Sequence, residues 1–332
     1  MLKDLSESKF TYDKANYSGD EWQMSLLYQK GCKELEEQNF NQALSFFLDG
    51  ISKFPESRLR AKVFLKLGLT YHLLKQYSLA ADYLSKYLKI GKRVFRHPEY
   101  YFLTAYNYYK SDKFDEAISY FEEMKKECDL IPEDAARTDL FLGFSYFGLR
   151  KNEAAEKIIL NTIDYTFTYK EYLPDIDANE IGRAYYILGE INYEKLLLFQ
   201  TIRDNTGLNS IIAEKTILLL KMEKYFGKAI ETGFSVWSLS SFKQLAEGYL
   251  FFYNLLKNNF KTDSSKTLSD AAAEKKIFQK QLSGFLKKSE NIILRGLTMA
   301  YEAKYEDELI FEMKKLALTI ARELQNQEQP AD

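Results

Sequence analysis

A small residue recurs along the first half of the chain at a nearly fixed interval. The four positions are Gly31, Gly68, Ala105 and Gly143, at steps of 37, 37 and 38 residues. An alanine follows each of them after twelve residues, at Ala43, Ala80, Ala117 and Ala155. A constant offset inside a nearly constant period is the signature of a repeat protein, in which each repeat stacks on its neighbours.

Bulky side chains flank these small residues at matching positions. Around Gly68 they are Phe64, Leu67, Tyr71, Tyr77 and Leu84, and around Ala105 they are Tyr101, Tyr108, Phe114 and Phe121. With only 5 prolines and 15 glycines in 332 residues, this spacing favours paired helices over a turn-rich β fold. We expect the small residue to stand where the two helices of a pair cross most closely, because a larger side chain would hold the backbones apart.

The pattern resembles the tetratricopeptide-repeat (TPR) family over about residues 21–167. The family's repeat has a bulky residue, Leu–Gly, then Tyr, and later Ala, Phe and a closing Pro. Pro55 closes the first repeat here, whereas the next three repeats lack the proline. The resemblance implies an all-α, TPR-type α-solenoid, a right-handed superhelix of antiparallel helix pairs that long C-terminal helices cap.

The chain is expected to divide into six segments. These are a polar N-terminal tail (1–20), four TPR units (21–169), two degenerate and extended TPR-like units (170–260), a polar loop (261–270), a C-terminal helical cap (271–325) and a tail (326–332). The fifth unit begins at Tyr185, Leu188 and Gly189, and its second helix contains Phe226 and Ala229 after a break near residues 204–207. Residues 225–253 resemble the closing region of some bacterial cell-envelope TPR proteins, which implies an envelope scaffold.

The TPR family lines its concave side with the first helix of each repeat, so the resemblance implies a partner-binding groove on those helices. Its residues are Tyr28, Leu65, Leu69, His72, Phe102, Tyr106, Tyr109, Phe144, Phe147, Tyr186 and Tyr193. Rings and leucines suit an amphipathic helix or an extended apolar segment of another protein. The lysine and asparagine positions by which family members clamp a C-terminal carboxylate are not filled by those residues here. We expect Phe102, Tyr106 and Phe144 to be solvent-accessible in the monomer.

Three alternatives stay open at this point. The chain's own terminal helices could fill the groove and turn these residues into core. The groove or the terminal helices could pair with a second copy, which would make the protein a homo-oligomeric structural component. The rings could also close over a small apolar ligand.

The sequence offers no catalytic, cofactor or metal motif, so we predict a scaffold or adaptor and not an enzyme. Residues 175–179 resemble the start of a calcium loop, but Glu180 and Tyr186 stand where a glycine and a bidentate carboxylate are required. We expect Asp177 or Asn179 to cap a helix instead. The 46 basic and 48 acidic residues are interspersed, which argues against a nucleic-acid partner.

No apolar run reaches transmembrane length, and the polar first 20 residues contain no hydrophobic signal core. We therefore expect a soluble protein of the cytoplasm, or of the periplasm or outer membrane if a leader was removed.

Overall fold

The computed structural model describes residues 19–91, 97–169, 176–198, 205–233, 235–259 and 268–328. Within these ranges the chain forms thirteen α-helices and no strand. The chain divides into two compact bodies, the N-terminal body (Met1–Tyr169) and the C-terminal body (Lys170–Asp332).

The N-terminal body contains eight of the described helices. They are α1 (Gly19–Glu36), α2 (Phe40–Lys53), α3 (Arg60–Leu73), α4 (Tyr77–Gly91), α5 (Pro98–Lys110), α6 (Phe114–Glu127), α7 (Pro132–Gly148) and α8 (Asn152–Thr168). Successive helices of this body pack against one another. The predicted all-α, TPR-type architecture of successive helix pairs is confirmed.

Within three of these pairs, a glycine of the first helix lies directly under a large side chain of the second. A Cβ atom at Gly31 would lie 2.5 Å from the Phe47 ring, and one at Gly68 would lie 2.5 Å from Cγ of Leu84. At Gly143 the distance to Ile159 would be 2.6 Å. The partner stands sixteen residues after the glycine each time, so the repeated spacing fixes which side chains meet.

A turn of one kind joins the two helices of each pair in the N-terminal body. Its left-handed residue is Gln38 (φ 62°), Lys75 (φ 58°), Asp112 (φ 58°) or Arg150 (φ 59°). The next backbone N–H donates to the carbonyl five residues earlier, as Asn39 does to Glu34 at 2.8 Å, which is the closing bond of a Schellman turn. Non-glycine residues occupy a conformation that usually favours glycine, so no glycine marks these turns in the sequence.

The C-terminal body contains the other five described helices. They are α9 (Ala178–Leu197), α10 (Asn205–Glu231), α11 (Val236–Asn259), α12 (Leu268–Glu302) and α13 (Glu308–Glu328). Gly189 of α9 lies against the ring of Phe226 on α10, as the repeat positions of both residues predict. Helices α12 and α13 pack on α11 and on each other. Lys215, only 1% exposed, donates to the carbonyls of Lys195 and Leu196 at 2.9 Å each and so caps the negative end of α9.

Several predicted boundaries differ from the structure. Helix α1 begins at Gly19, inside the predicted tail, while residues 1–18 lie outside the described ranges. Helix α10 begins at Asn205, inside the predicted break. Helix α12 begins at Leu268, and α13 continues to Glu328, whereas residues 260–267 and 329–332 lie outside the described ranges. Polar residues such as Ser and Asp are common in loops and in the first turn of a helix alike, so composition alone misplaces these ends.

The close approach at Gly189 can be tested against a second glycine of the same helix pair. Gly189→Ala should lower the free energy of unfolding by about 1–3 kcal/mol, because the added methyl group collides with the Phe226 ring. Gly227→Ala, four residues before the end of α10 and with nothing within 4 Å of its Cβ position, should raise it by about 0.5–1 kcal/mol. Urea denaturation measures both changes. Equal stabilisation by the two variants would contradict the close contact between Gly189 and the Phe226 ring.

Candidate partner-binding surface

The predicted groove residues of the N-terminal body divide into two groups. Tyr28, Leu69, Tyr109 and Phe144 are buried, whereas Leu65, His72, Phe102, Tyr106 and Phe147 are half-buried. The expectation that Phe144 is solvent-accessible is wrong, since its side chain is 2% exposed and its ring lies 5.3 Å from that of Phe141. We refer to the half-buried group, which lies on α3, α5 and α7, as the ring strip.

Phe141 of α7 is the centre of an aromatic cluster beneath the ring strip. Its ring is perpendicular to that of Phe102 at 5.4 Å and to that of Tyr109 at 5.6 Å, and it meets the Tyr106 ring edge-on at 5.5 Å. Such edge-to-face pairs add to the free energy of burial. The first helices of neighbouring pairs interdigitate here, which explains why Tyr109 and Phe144 belong to the core.

Phe102 and Tyr106 form the part of the ring strip that α5 contributes. Their rings are nearly parallel, at 6.3 Å and 17°. The guanidinium of Arg137, from α7, lies 4.7 Å from the centroid of the Phe102 ring, where a cation–π attraction operates. Flat ring faces beside a cation therefore form the surface at this point.

His72 ties α3 to α5 within the ring strip. Its Nδ1 lies 2.9 Å from Oδ1 of Asn107, whose amide nitrogen donates to the carbonyl of Leu103 at 2.7 Å. Because Oδ1 is then the acceptor, we assign the hydrogen to Nδ1 of His72. The histidine thus holds neighbouring helix pairs together.

A cleft of about 870 Å³ lies over α7, between α6 and α8, where no sequence pattern predicts one. Ala135 and Ala136 are small enough to leave room at its base. Lys125 and Asp139 form an ion pair of 2.5 Å across it, and Tyr146 donates to Glu122 at 3.2 Å. The charges of Lys125 and Asp139 therefore offset each other within the cleft.

The predicted residues of the C-terminal body, Tyr186 and Tyr193, lie on α9 and are half-buried. The Tyr186 ring lies 5.4 Å from that of Trp237, and Tyr193 Oη donates to Glu247 of α11 at 3.4 Å. Burial raises the pKa of both tyrosines, and neighbouring glutamates raise it further. These phenols therefore stay protonated and act as hydrogen-bond donors.

Glu190 lies between the two tyrosines on α9, and its environment is poor for a carboxylate. Burial, with smaller contributions from the charges of Glu194 and Glu247, raises its pKa to about 7, although hydrogen bonds with Tyr186 and Gln244 oppose the shift. Among the described residues, no donor reaches Oε1 of Glu190 or Oε1 of Gln244, and both atoms are buried. Protonation of Glu190 is favoured here, because it removes a buried charge and adds a hydrogen-bond donor near these two acceptor atoms.

The remaining sequence predictions concern caps, metals and membranes. Asp177 caps α9 as predicted, because its Oδ1 accepts the backbone N–H of Asn179 at 2.9 Å. Asp175 lies outside the described residues. In the part of the chain that the structure covers, no three His, Cys, Asp or Glu side chains are grouped to hold a metal ion. None of the described helices has the length and apolarity needed to cross a membrane.

Comparison with known proteins finds only distant structural likenesses. No protein-family model and no curated protein matches the sequence. Apo RapI is 18% identical over 91% of this chain and 99% of its own, with a TM-score of 0.42. MamA is 20% identical over 61% and 93%, with a TM-score of 0.40, and a tetratricopeptide repeat protein from Parabacteroides merdae is 12% identical over 90% and 99%, with a TM-score of 0.41. The fold rests on the helix pairing described above and not on these likenesses.

Glu190 makes stability depend on pH. Its pKa of about 7 in the folded state exceeds the usual glutamate value of about 4.5, so the folded state binds the proton more tightly and loses stability as pH rises from about 4.5 to beyond 7. Glu190→Gln should abolish this part of the pH dependence and raise the unfolding free energy at pH 8 by on the order of 2–3 kcal/mol. Urea denaturation between pH 5 and pH 8.5 measures it.

The matched control is Glu302→Gln, which removes an exposed carboxylate from the same body. This variant should keep the wild-type pH profile, because an exposed carboxylate stays hydrated in both the folded and the unfolded state. A Glu190→Gln profile parallel to that of the wild type would show that Glu190 is ionised in the fold.

Proposed function

We propose that this TPR-type protein is a non-enzymatic adaptor whose ring strip binds an apolar or amphipathic segment of another protein. The observation that carries the proposal is the partial exposure of Phe102 and Tyr106, two stacked rings on a first helix, in a body that buries other rings of the same helices. Large rings that lose little side-chain entropy on binding are the usual anchors of protein interfaces.

The chemistry of the ring strip indicates the kind of partner. Leu65 and Phe147 extend the apolar surface on either side of the α5 rings, along α3 and α7. Hydrophobic residues repeated every three to four positions along a helix would present one apolar side to such a surface.

The setting of the adaptor follows from the resemblance of residues 225–253 to the closing region of bacterial cell-envelope TPR proteins. In that setting the partner is a component of an envelope assembly. The ring strip itself is independent of the setting, since an apolar segment from any compartment would bind it by the same contacts.

A display library of amphipathic helical peptides tests the proposal. Peptides selected on the wild-type protein should bind the Tyr106→Ser, Phe147→Ser double variant at least tenfold more weakly, because both anchors are lost. Fluorescence anisotropy with the selected peptides gives the dissociation constants. Circular dichroism should show that the double variant keeps the helical content of the wild type. If Tyr106→Ser lowers stability, Phe147→Ser alone should still show part of the loss in peptide affinity.

The control for this experiment is Leu79→Ser, which removes an exposed leucine from the second helix α4. Its peptide affinity should equal that of the wild type. Selected peptides that bind the double variant as tightly as the wild-type protein would place the binding surface elsewhere. Phe144→Ser is unsuitable as a binding variant, since truncating a core phenylalanine typically costs about 3–5 kcal/mol of stability.

A further inference from the structure

Where α12 and α13 run side by side, their hairpin exposes four large apolar side chains. They are Leu294 (48% exposed) and Tyr301 (85%) on α12, and Phe311 (70%) and Leu318 (61%) on α13. Both pairs have a spacing of seven residues, which places the two members of a pair on the same side of their helix. We refer to these four residues as the hairpin face.

Both pairs lie on the side of the hairpin that points away from α11. Leu294, Tyr301 and Phe311 each directly follow a buried residue, namely Ile293, Ala300 and Ile310. One residue along a helix is a rotation of about 100°, and because α12 and α13 are antiparallel, the same step turns both pairs to the same side. The opposite side contacts α11, through Ser289 to the Ala246 carbonyl at 2.7 Å and Glu312 to Lys243 at 3.1 Å.

The apolar side chains of the hairpin face form two layers. Gly296 lies directly beside Met313, since a Cβ atom at Gly296 would be 2.6 Å from Cε of Met313. With a rise of about 1.5 Å per residue, Leu294 and Leu318 then lie within about one helical turn of the same height, and so do Tyr301 and Phe311. A Leu–Leu layer is thus followed by a Tyr–Phe layer.

We propose that a second copy of this hairpin covers the hairpin face and completes a two-fold symmetric four-helix bundle. A two-fold axis parallel to the helices places α12 of one chain against α13 of the other, antiparallel and at equal heights. Leu294 then meets the partner's Leu318, and Tyr301 meets the partner's Phe311. Each layer of one hairpin thus packs against the same layer of the second copy.

The charges around the hairpin face match this arrangement. At equal heights, Glu290 of α12 stands between Lys315 and Arg322 of the partner's α13. At the other end, Lys304 stands beside the partner's Glu308. Lys304, Glu308, Lys315 and Arg322 are all exposed. Opposite charges at both ends fix the register of the two copies and oppose a shift along the helix axis.

The expected dimer is in exchange with the monomer. Together with the flanking charges, the hairpin face extends over roughly fifteen residues of each helix, or about 20 Å. A contact of this length between two helix pairs buries less area than a standard stable interface. The ring strip lies in the other body and takes no part in this contact, so the inference stands apart from the adaptor function.

Sedimentation equilibrium of the full chain, from micromolar to near-millimolar concentration, tests the dimer. The wild-type protein should show a mass that rises from one chain to two. Phe311→Ser with Leu318→Ser should raise the dissociation constant at least tenfold, because one side of both layers is lost. A wild-type mass of one chain at every concentration overturns the proposal and leaves the hairpin face to a different partner.

The matched control replaces two aliphatic residues of similar exposure on α10 in the double variant Ile217→Ser with Leu220→Ser. These changes should leave the dissociation constant unchanged, and an equal loss in the control would overturn the assignment to the hairpin face. A charge exchange tests the register: Glu290→Arg should weaken the dimer, and Glu290→Arg combined with Arg322→Glu should restore it. Failure of the exchange to restore the dimer contradicts the proposed two-fold arrangement.

Discussion

The structure depends on how closely the two helices of each pair approach. A glycine under Phe47, Leu84 or Ile159 lets the second helix lie almost on the backbone of the first. Because that distance is repeated, each pair presents its apolar faces to the next at the same height, and the pairs stack. The surfaces available for binding are those that remain after this stacking, and they differ between the two bodies.

Much of the fold can be predicted from the sequence, because the close approach of the two helices requires a small residue and a large one at a regular spacing. In the first, second and fourth repeats the glycine and the side chain above it are sixteen residues apart, so the period reveals the pair. In the fifth repeat Gly189 and Phe226 are 37 residues apart, yet both keep their repeat-specific neighbours and still meet. The residues between them do not alter the contact, since a hairpin tolerates a longer connection at little entropic cost.

Other features of the structure have no regular pattern in the sequence. The turns of the N-terminal body use Gln38, Lys75, Asp112 and Arg150 in a left-handed conformation, and of these only Asp112 is of a residue type that favours it. Lys215 looks like a surface lysine until the end of α9 is placed beside it. The raised pKa of Glu190 arises from burial between helices that are distant in sequence. Each is set by a neighbour that only the folded chain brings near.

The ring strip shows the same limit at the candidate site. Tyr106 and Phe144 stand at equivalent repeat positions and look equally suited to a partner, but Phe144 is core and Tyr106 is half-buried. Both rings pack edge-on against Phe141, so the remaining neighbours of each ring, and not its residue type or this contact, separate the two positions.

An aromatic residue on a first helix can therefore serve the stacking of pairs or the binding of a partner, and the packing of the adjacent pair decides which. In the C-terminal body the corresponding positions carry Tyr186, Glu190 and Tyr193, whose polar groups hydrogen-bond among themselves and with α11. Because those donors and acceptors are largely committed inside the body, an apolar segment would gain less there than on the ring strip. The two bodies have thus kept one way of pairing helices and diverged in the surface that it leaves.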